Sequence, residues 1–139
     1  MVALNFLQAI DAVIFNDQRG ELSAIEIPDG VSFHTKRIYY ISDVPTHSIR
    51  GAHAHKKLKQ IFVALSGSFT LNVTDGNSLD KVKVMAQSSG YYLPSGYWRE
   101  LSDFSANTIC LVLASEHFDE GDYIRDMNDF LSWKNQNES

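Results

Sequence analysis

Cysteine is almost missing: Cys110 is the single one in 139 residues, which excludes an internal disulfide framework. It lies in the apolar run Thr108-Ile109-Cys110-Leu111-Val112-Leu113-Ala114, where a buried small hydrophobe is expected rather than a nucleophile. Positive charge is in deficit, with 12 Lys and Arg against 17 Asp and Glu and a net charge of −5. That balance argues against general nucleic-acid or membrane-surface binding, although it leaves room for a local basic pocket. No apolar run approaches the roughly 20 residues of a membrane-spanning helix. The N-terminus also lacks a basic segment followed by a continuous apolar one, so a cytoplasmic location with no membrane partner is expected. Linkers, low-complexity stretches and repeats are absent as well. Residues 1–139 are therefore read as one domain, long enough for a substantial core.

What is present is an ordinary soluble composition, 44% hydrophobic and 21% charged, arranged with a β period. From Gly67 to Val73 the chain alternates, with Phe69, Leu71 and Val73 on one face and Ser68, Thr70 and Asn72 on the other. Asp75-Gly76-Asn77 predicts a hairpin turn, after which Leu79 to Met85 returns with Val82 and Val84 inward. Further strands are predicted over Leu22 to Ile27, Lys36 to Ser42, Tyr91 to Leu93 and Thr108 to Ser115, and Asp17-Gln18-Arg19-Gly20 reads as a turn. The apolar residues of the first 14 positions, Val2 among them, are too irregular to separate strand from helical turn. Short strands at regular spacing with turn signals between them predict an all-β sandwich or barrel. Only Asp119 to Lys134 differs: Tyr123, Met127, Phe130, Leu131 and Trp133 fall on one stripe, which predicts a short C-terminal helical segment.

The most informative stretch is Arg50-Gly51-Ala52-His53-Ala54-His55-Lys56-Lys57, followed by the apolar run Ile61 to Leu65. In a strand His53 and His55 share one face, whereas a helix would set them roughly 200° apart. A shared histidine face is compatible with a metal site, with proton transfer, or with a plain polar lining. His34, His47 and His117 stand alone and are read as loop or surface residues.

The His-x-His strand and a later Pro-x-x-x-Trp turn, Pro94 to Trp98, resemble the cupin jelly roll, a double-stranded β-helix. Along nearly its whole length the chain is similar to the sugar-nucleotide 3,4-ketoisomerases, which act on a dTDP-linked 4-keto-6-deoxyglucose. The string from Arg50 to Leu58 carries most of the resemblance. It is supported by Asp17 to Gly20, Lys36 to Ile41, Leu113-Ala114-Ser115 and Asp122-Tyr123-Ile124-Arg125. The Arg-Gly-x-His string also resembles the related 3,5-epimerases, in which the arginine meets the diphosphate and the histidine is the base. The resemblance implies a homodimeric jelly roll that moves a keto group from C4 to C3 of the sugar. Such chemistry serves deoxyamino-sugar biosynthesis, as in lipopolysaccharide O-antigen.

That reaction needs a group that titrates near neutrality and acts first as base, then as acid, a role histidine fills with little retuning. His53 is assigned as principal base and His55 as the partner that orients it or relays the proton. The competing reading makes both metal ligands. Against it, Lys56, Lys57, Leu58, Lys59 and Gln60 offer no acid after the pair, and Arg99 stands where a later ligand histidine would be expected. No metal and no cofactor are expected. Arg19, Arg37, Arg50 and Arg99 are the candidates for a diphosphate, which favours guanidinium forks. Tyr39 is the candidate phenol facing the sugar, Gln60 a further lining residue, and Trp98 a platform for the thymine. Two other readings stay open, a 3- or 3,5-epimerase of the same substrate and a non-catalytic cupin sugar-binding module.

Overall fold

The computed structural model describes residues 3–137. Met1, Val2, Glu138 and Ser139, the ends of the span read as one domain, lie outside the described residues. The chain forms β1 (Gln8–Ile10), β2 (Ala12–Asp17), β3 (Gly20–Ile25), β4 (Arg37–Ser42), β5 (Arg50–His55) and β6 (Gln60–Ser66). It continues through β7 (Ser68–Thr74), β8 (Leu79–Met85), β9 (Gly90–Leu93), β10 (Trp98–Ser102), β11 (Ile109–Ala114) and β12 (Tyr123–Ile124) to one helix, α1 (Met127–Asn137). Two five-stranded antiparallel sheets, ordered β1-β9-β6-β11-β4 and β12-β5-β10-β7-β8, face each other as the cupin jelly roll.

The alternation of β7 sets the middle of the sandwich. Phe69, Leu71 and Val73 are fully buried and meet Val84 of β8, Leu101 of β10, and Cys110 and Val112 of β11. Burial raises the Cys110 thiol to about 12, as expected of an inert core residue. The apolar core occupies only part of the space between the sheets. Towards one end the inward positions become Arg37 and Tyr39 on β4, Gln60 on β6, His53 on β5 and Arg99 on β10, and a cavity opens there.

The C-terminal stripe needs correction. Glu120–Asp122 is a short 3₁₀ turn, Tyr123–Ile124 pairs with β5 as β12, and only Met127 onward is α-helical. Tyr123 therefore does not belong to the helix. The buried helical positions are Phe130 and Lys134, while Met127 and Leu131 remain exposed. Phe130 and the half-buried Trp133 pack with Ala54, Trp98 and Ile124 on the outer face of the second sheet. Of the early apolar residues, Leu4, Phe6 and Leu7 pack on the core ahead of β1, Ile10 lies in β1 on the first sheet, and Val13 and Ile14 lie in a separate hairpin of β2 and β3 whose turn is the predicted Asp17-to-Gly20 segment.

One irregularity in β5 decides where the site residues point. Arg99 pairs with His53 and Glu100 with Gly51, so Ala52 is an extra residue, a β-bulge. Gly51 and Ala52 both have positive φ, 85° and 58°. In an unbroken strand Arg50 and His53, three positions apart, would face opposite ways. The bulge restores the parity, and both line the cavity.

Two substitutions test this device by chemical denaturation. A Cβ on Gly51 would lie 3.1 Å from the Arg99 carbonyl oxygen, so Gly51→Ala is expected to lower unfolding free energy by about 1–3 kcal/mol. Ala52→Gly relieves a left-handed alanine and is expected to raise it by about 0.5–1 kcal/mol.

Candidate active site

The cavity, of about 450 Å³, lies between the two sheets. β4 contributes Arg37, Tyr39 and Ile41 from alternate positions, and β6 contributes Gln60 and Phe62. β5 contributes Arg50, Gly51 and His53, while Arg99 and Leu101 come from β10. Four arginines line the cavity (Arg37, Arg50, Arg99 and Arg125), and none of the described lining residues is an aspartate or glutamate.

Arg99 forms the floor. It is 1% exposed, and its guanidinium donates to the Gln60 side-chain oxygen through Nη1 and to the Tyr97 carbonyl through Nη2 at 3.0 Å. Gln60 in turn donates through Nε2 to the Tyr39 hydroxyl at 2.9 Å, so Tyr39, Gln60 and Arg99 form one hydrogen-bonded chain from sheet to sheet. Among the described residues no carboxylate pairs directly with Arg99, and its Nε is buried without a partner, as is the Nε of Arg37. Burial lowers the guanidinium to about 10, still a cation at neutral pH. Keeping a buried charge without a counter-ion costs several kcal/mol, which an anion bound in the cavity would offset.

The histidine pair divides into a front and a back. His53 lines the cavity, while His55 is 1% exposed and lies behind it, the rings 4.8 Å apart and nearly perpendicular. Burial first, and the Arg99 charge second, push His53 down to about 4. The same two causes, followed by His53 itself, push His55 down to about 2. Both imidazoles are neutral at neutral pH, and the one that faces the cavity, His53, can accept a proton there. Tyr39 has its phenol raised, mainly by burial.

Of the residues expected from sequence, Arg37, Tyr39, Arg50, His53, Gln60 and Arg99 come together here. His55 supports them from behind. Trp98 does not join them: it neighbours Arg99 on β10 and therefore faces the other side of the sheet. There it packs on Phe130, and its indole donates to Glu100 Oε2 at 3.0 Å. The expectation that it stacks on thymine is corrected accordingly. Arg19 is also outside this chain's cavity, in the β2–β3 turn and bridged to Asp17 at 2.6 Å. His34, His47 and His117 are exposed and outside regular elements, as expected.

Two polar lining residues were not among the sequence candidates, Tyr123 and Arg125. The Tyr123 ring is 4.9 Å from His53 and 4.3 Å from His55, and the Arg125 guanidinium stacks on it at 4.2 Å while pairing with Glu120. Among the described residues no group of three or more His, Cys, Asp or Glu is arranged to hold a metal ion.

Comparison with known proteins agrees with the geometry. The family model "FdtA: WxcM-like, C-terminal" matches residues 5–135. A TDP-4-oxo-6-deoxy-α-D-glucose-3,4-oxoisomerase from Aneurinibacillus thermoaerophilus is 40% identical over 130 residues, covering 94% of this chain and 89% of that one. Among solved structures, a 3,4-ketoisomerase from Helicobacter canadensis superposes with a TM-score of 0.85 at 36% identity, covering 93% of this chain and 97% of that one. The QdtA 3,4-ketoisomerase of Thermoanaerobacterium thermosaccharolyticum, as a histidine-to-asparagine variant in complex with TDP-4-keto-6-deoxyglucose, gives 0.88 at 32% identity, covering 98% and 99%.

The depressed histidines make folding pH-dependent. The unfolded chain, with imidazoles near 6.5, binds more protons than the folded one as pH falls below that value, so stability falls with it. Asp17, Asp75, Asp80 and Glu120 are all held below the ordinary carboxylate range and stay ionised in this window. The urea midpoint is expected to be lower at pH 5 than at pH 7.5, with a smaller difference in His53→Asn. Equal midpoints at the two pH values would contradict the depressed imidazoles.

Proposed function

The chain belongs to the FdtA, WxcM-like family and is a 3,4-ketoisomerase of TDP-linked sugars, and we propose that His53 carries out this reaction on TDP-4-keto-6-deoxyglucose. The observation that supports it most is the joining of one neutral, cavity-facing imidazole to four arginines, of which Arg125 alone pairs with a carboxylate among the described residues. A base of that kind suits an anionic substrate.

The reaction balances without an external oxidant. Neutral His53 takes the proton from C3, and electron density moves onto the C4 oxygen. The C3 hydroxyl proton passes to that oxygen, giving an enediolate with its charge on the C3 oxygen, and the cavity-facing imidazolium, after its proton exchanges with water, delivers a proton to C4. The product has a C3 ketone and a C4 hydroxyl. Arg99, immobile and uncompensated, offsets negative charge that develops on the sugar oxygens, and needs no reorganisation to do so. Tyr39 and Gln60 hold that guanidinium and offer a phenol to the sugar. Arg50, exposed at the cavity mouth, and Arg37, half-buried on β4, suit the diphosphate.

Oligomeric state and Arg19 belong to the same reading. The β2–β3 hairpin exposes Val13, Ile14, Phe15 and Leu22, and the outer face of the first sheet exposes Ile38, Tyr40 and Leu65. Apolar surface of this extent suits burial against a second copy. In such a homodimer the hairpin carries Arg19 towards the partner's cavity, which reconciles its position here with a role in binding. The resident compartment is the cytoplasm, where nucleotide sugars are made, and residues 1–139 act as one cupin unit. No helix is long and apolar enough to cross a membrane among the described residues.

Incubation with TDP-4-keto-6-deoxyglucose in D₂O, followed by NMR, is expected to show a new 3-ketone with deuterium at C4. His53→Asn should lower the rate by at least about 100-fold; a full rate in that variant removes His53 as the base. TDP binding brings negative charge beside the cations that hold His53 down, so its pKa is expected to rise on saturation, measured by histidine NMR titration. Mixing inactive Arg19→Ala and His53→Asn proteins should restore activity if Arg19 serves the partner's site; no recovery from exchanged subunits sinks that assignment.

A further inference from the structure

A buried acid that the reaction scheme leaves unused lies directly behind the histidine pair. Asp122 closes the 3₁₀ turn before β12 and is 8% exposed. Its Oδ2 is 3.1 Å from His55 Nδ1, and the same carboxylate accepts the main-chain N–H of Lys57 at 2.7 Å and of Leu58 at 3.2 Å. Its position is fixed by main-chain bonds too: its carbonyl accepts from Lys56 N at 3.0 Å, and its N–H donates to the Asp119 carbonyl at 3.0 Å. The carboxylate cannot turn away from the ring without breaking this frame.

We infer that Asp122 is a positioning residue that holds His55 as its Nδ1–H tautomer and, through His55, fixes the orientation of the base His53. Both oxygens of this carboxylate act as acceptors, taking the N–H of Lys57 and of Leu58, so the ring nitrogen facing Oδ2 carries the hydrogen. Nε2 of His55 is then left with its lone pair. His55 packs edge-to-face on His53, and Tyr123, paired in register with His55 on the adjoining strand, touches both rings. The ring that does the chemistry is thus bounded on its buried side by two rings held through the Asp122 segment. A histidine whose tautomer is imposed from behind acts as a fixed wall and acceptor, and it does not compete with His53 for the substrate's proton. The inference rests on His53 being the base.

The rival explanation is that Asp122 serves only to staple the Lys57–Leu58 turn. Histidine ¹⁵N NMR of the wild-type protein at neutral pH tests the tautomer without any substitution, and a double-mutant cycle separates positioning from stapling. His55 is expected to show a protonated Nδ1 and an unprotonated Nε2; the opposite tautomer overturns the proposal. In Asp122→Asn the amide can present N–H to the ring, reversing the tautomer. Loss of an outer partner of a working histidine is expected to lower kcat by about 10- to 100-fold, with KM for TDP-4-keto-6-deoxyglucose nearly unchanged. In a double-mutant cycle, Asp122→Asn combined with His55→Asn should be no slower than His55→Asn alone. Independent, multiplying losses would show a staple and overturn the inference. Should D122N fail to fold, the opposite tautomer in the wild-type protein still overturns the inference. A wrong tautomer removes this inference alone, whereas a fully active His53→Asn removes the catalytic reading beneath it.

Discussion

A guanidinium buried between two β-sheets, with no acid among the described residues bonded to it, is the constraint on which the rest of this structure depends. Arg99 is held by a glutamine side chain and a main-chain carbonyl, neither of which cancels its charge. Its field is the second cause, after burial, of the low basicity of both histidines. The same charge makes the cavity a place where a negative group is welcome and a second cation is not. Burial alone would yield a neutral histidine in an apolar slot. Burial together with Arg99 yields a neutral histidine in an anion-seeking slot, which is the combination that proton transfer on a nucleotide sugar requires.

Backbone geometry delivers the remaining groups. The extra residue in β5 brings Arg50 onto the His53 face, and Gly51 tolerates the close approach of the β10 main chain. The first sheet contributes Arg37 and Tyr39 by simple alternation, and Gln60 joins the sheets across the gap. Thus a mixed polar cluster is satisfied almost completely by neutral partners, and the two orphaned Nε atoms, on Arg37 and Arg99, both belong to arginines that line the cavity. Unsatisfied groups of this kind, concentrated at one place, mark where the fold has been kept below its own stability optimum.

Much of this could be read from the residues alone, and the reasons are physical. Alternation in β7 and β8 is strong because one face is buried and the other solvated, so the sandwich was legible. The His53–His55 pair was legible because period two is unambiguous over three residues. The same rule would have excluded Trp98, since a strand cannot point adjacent residues 98 and 99 into one cavity. Tyr123 was hidden for a different reason. A two-residue strand has no period of its own, and its side chains borrowed a helical pattern from the segment that follows. Arg19 was legible as a turn residue. Its place relative to the cavity depends on a hairpin that stands apart from both sheets, about which local sequence says nothing.

The opposed faces of β10 have a consequence for how change can reach the chemistry. Trp98 is wedged among Phe130 and its neighbours under the C-terminal helix, while Arg99, one residue on, forms the cavity floor. The strand is in effect a thin partition with the helix docked on one side and the substrate on the other. One peptide unit of β10 thus joins the packing under α1 to the guanidinium that lowers His53, so the seat of the helix and the floor of the cavity share a single piece of backbone.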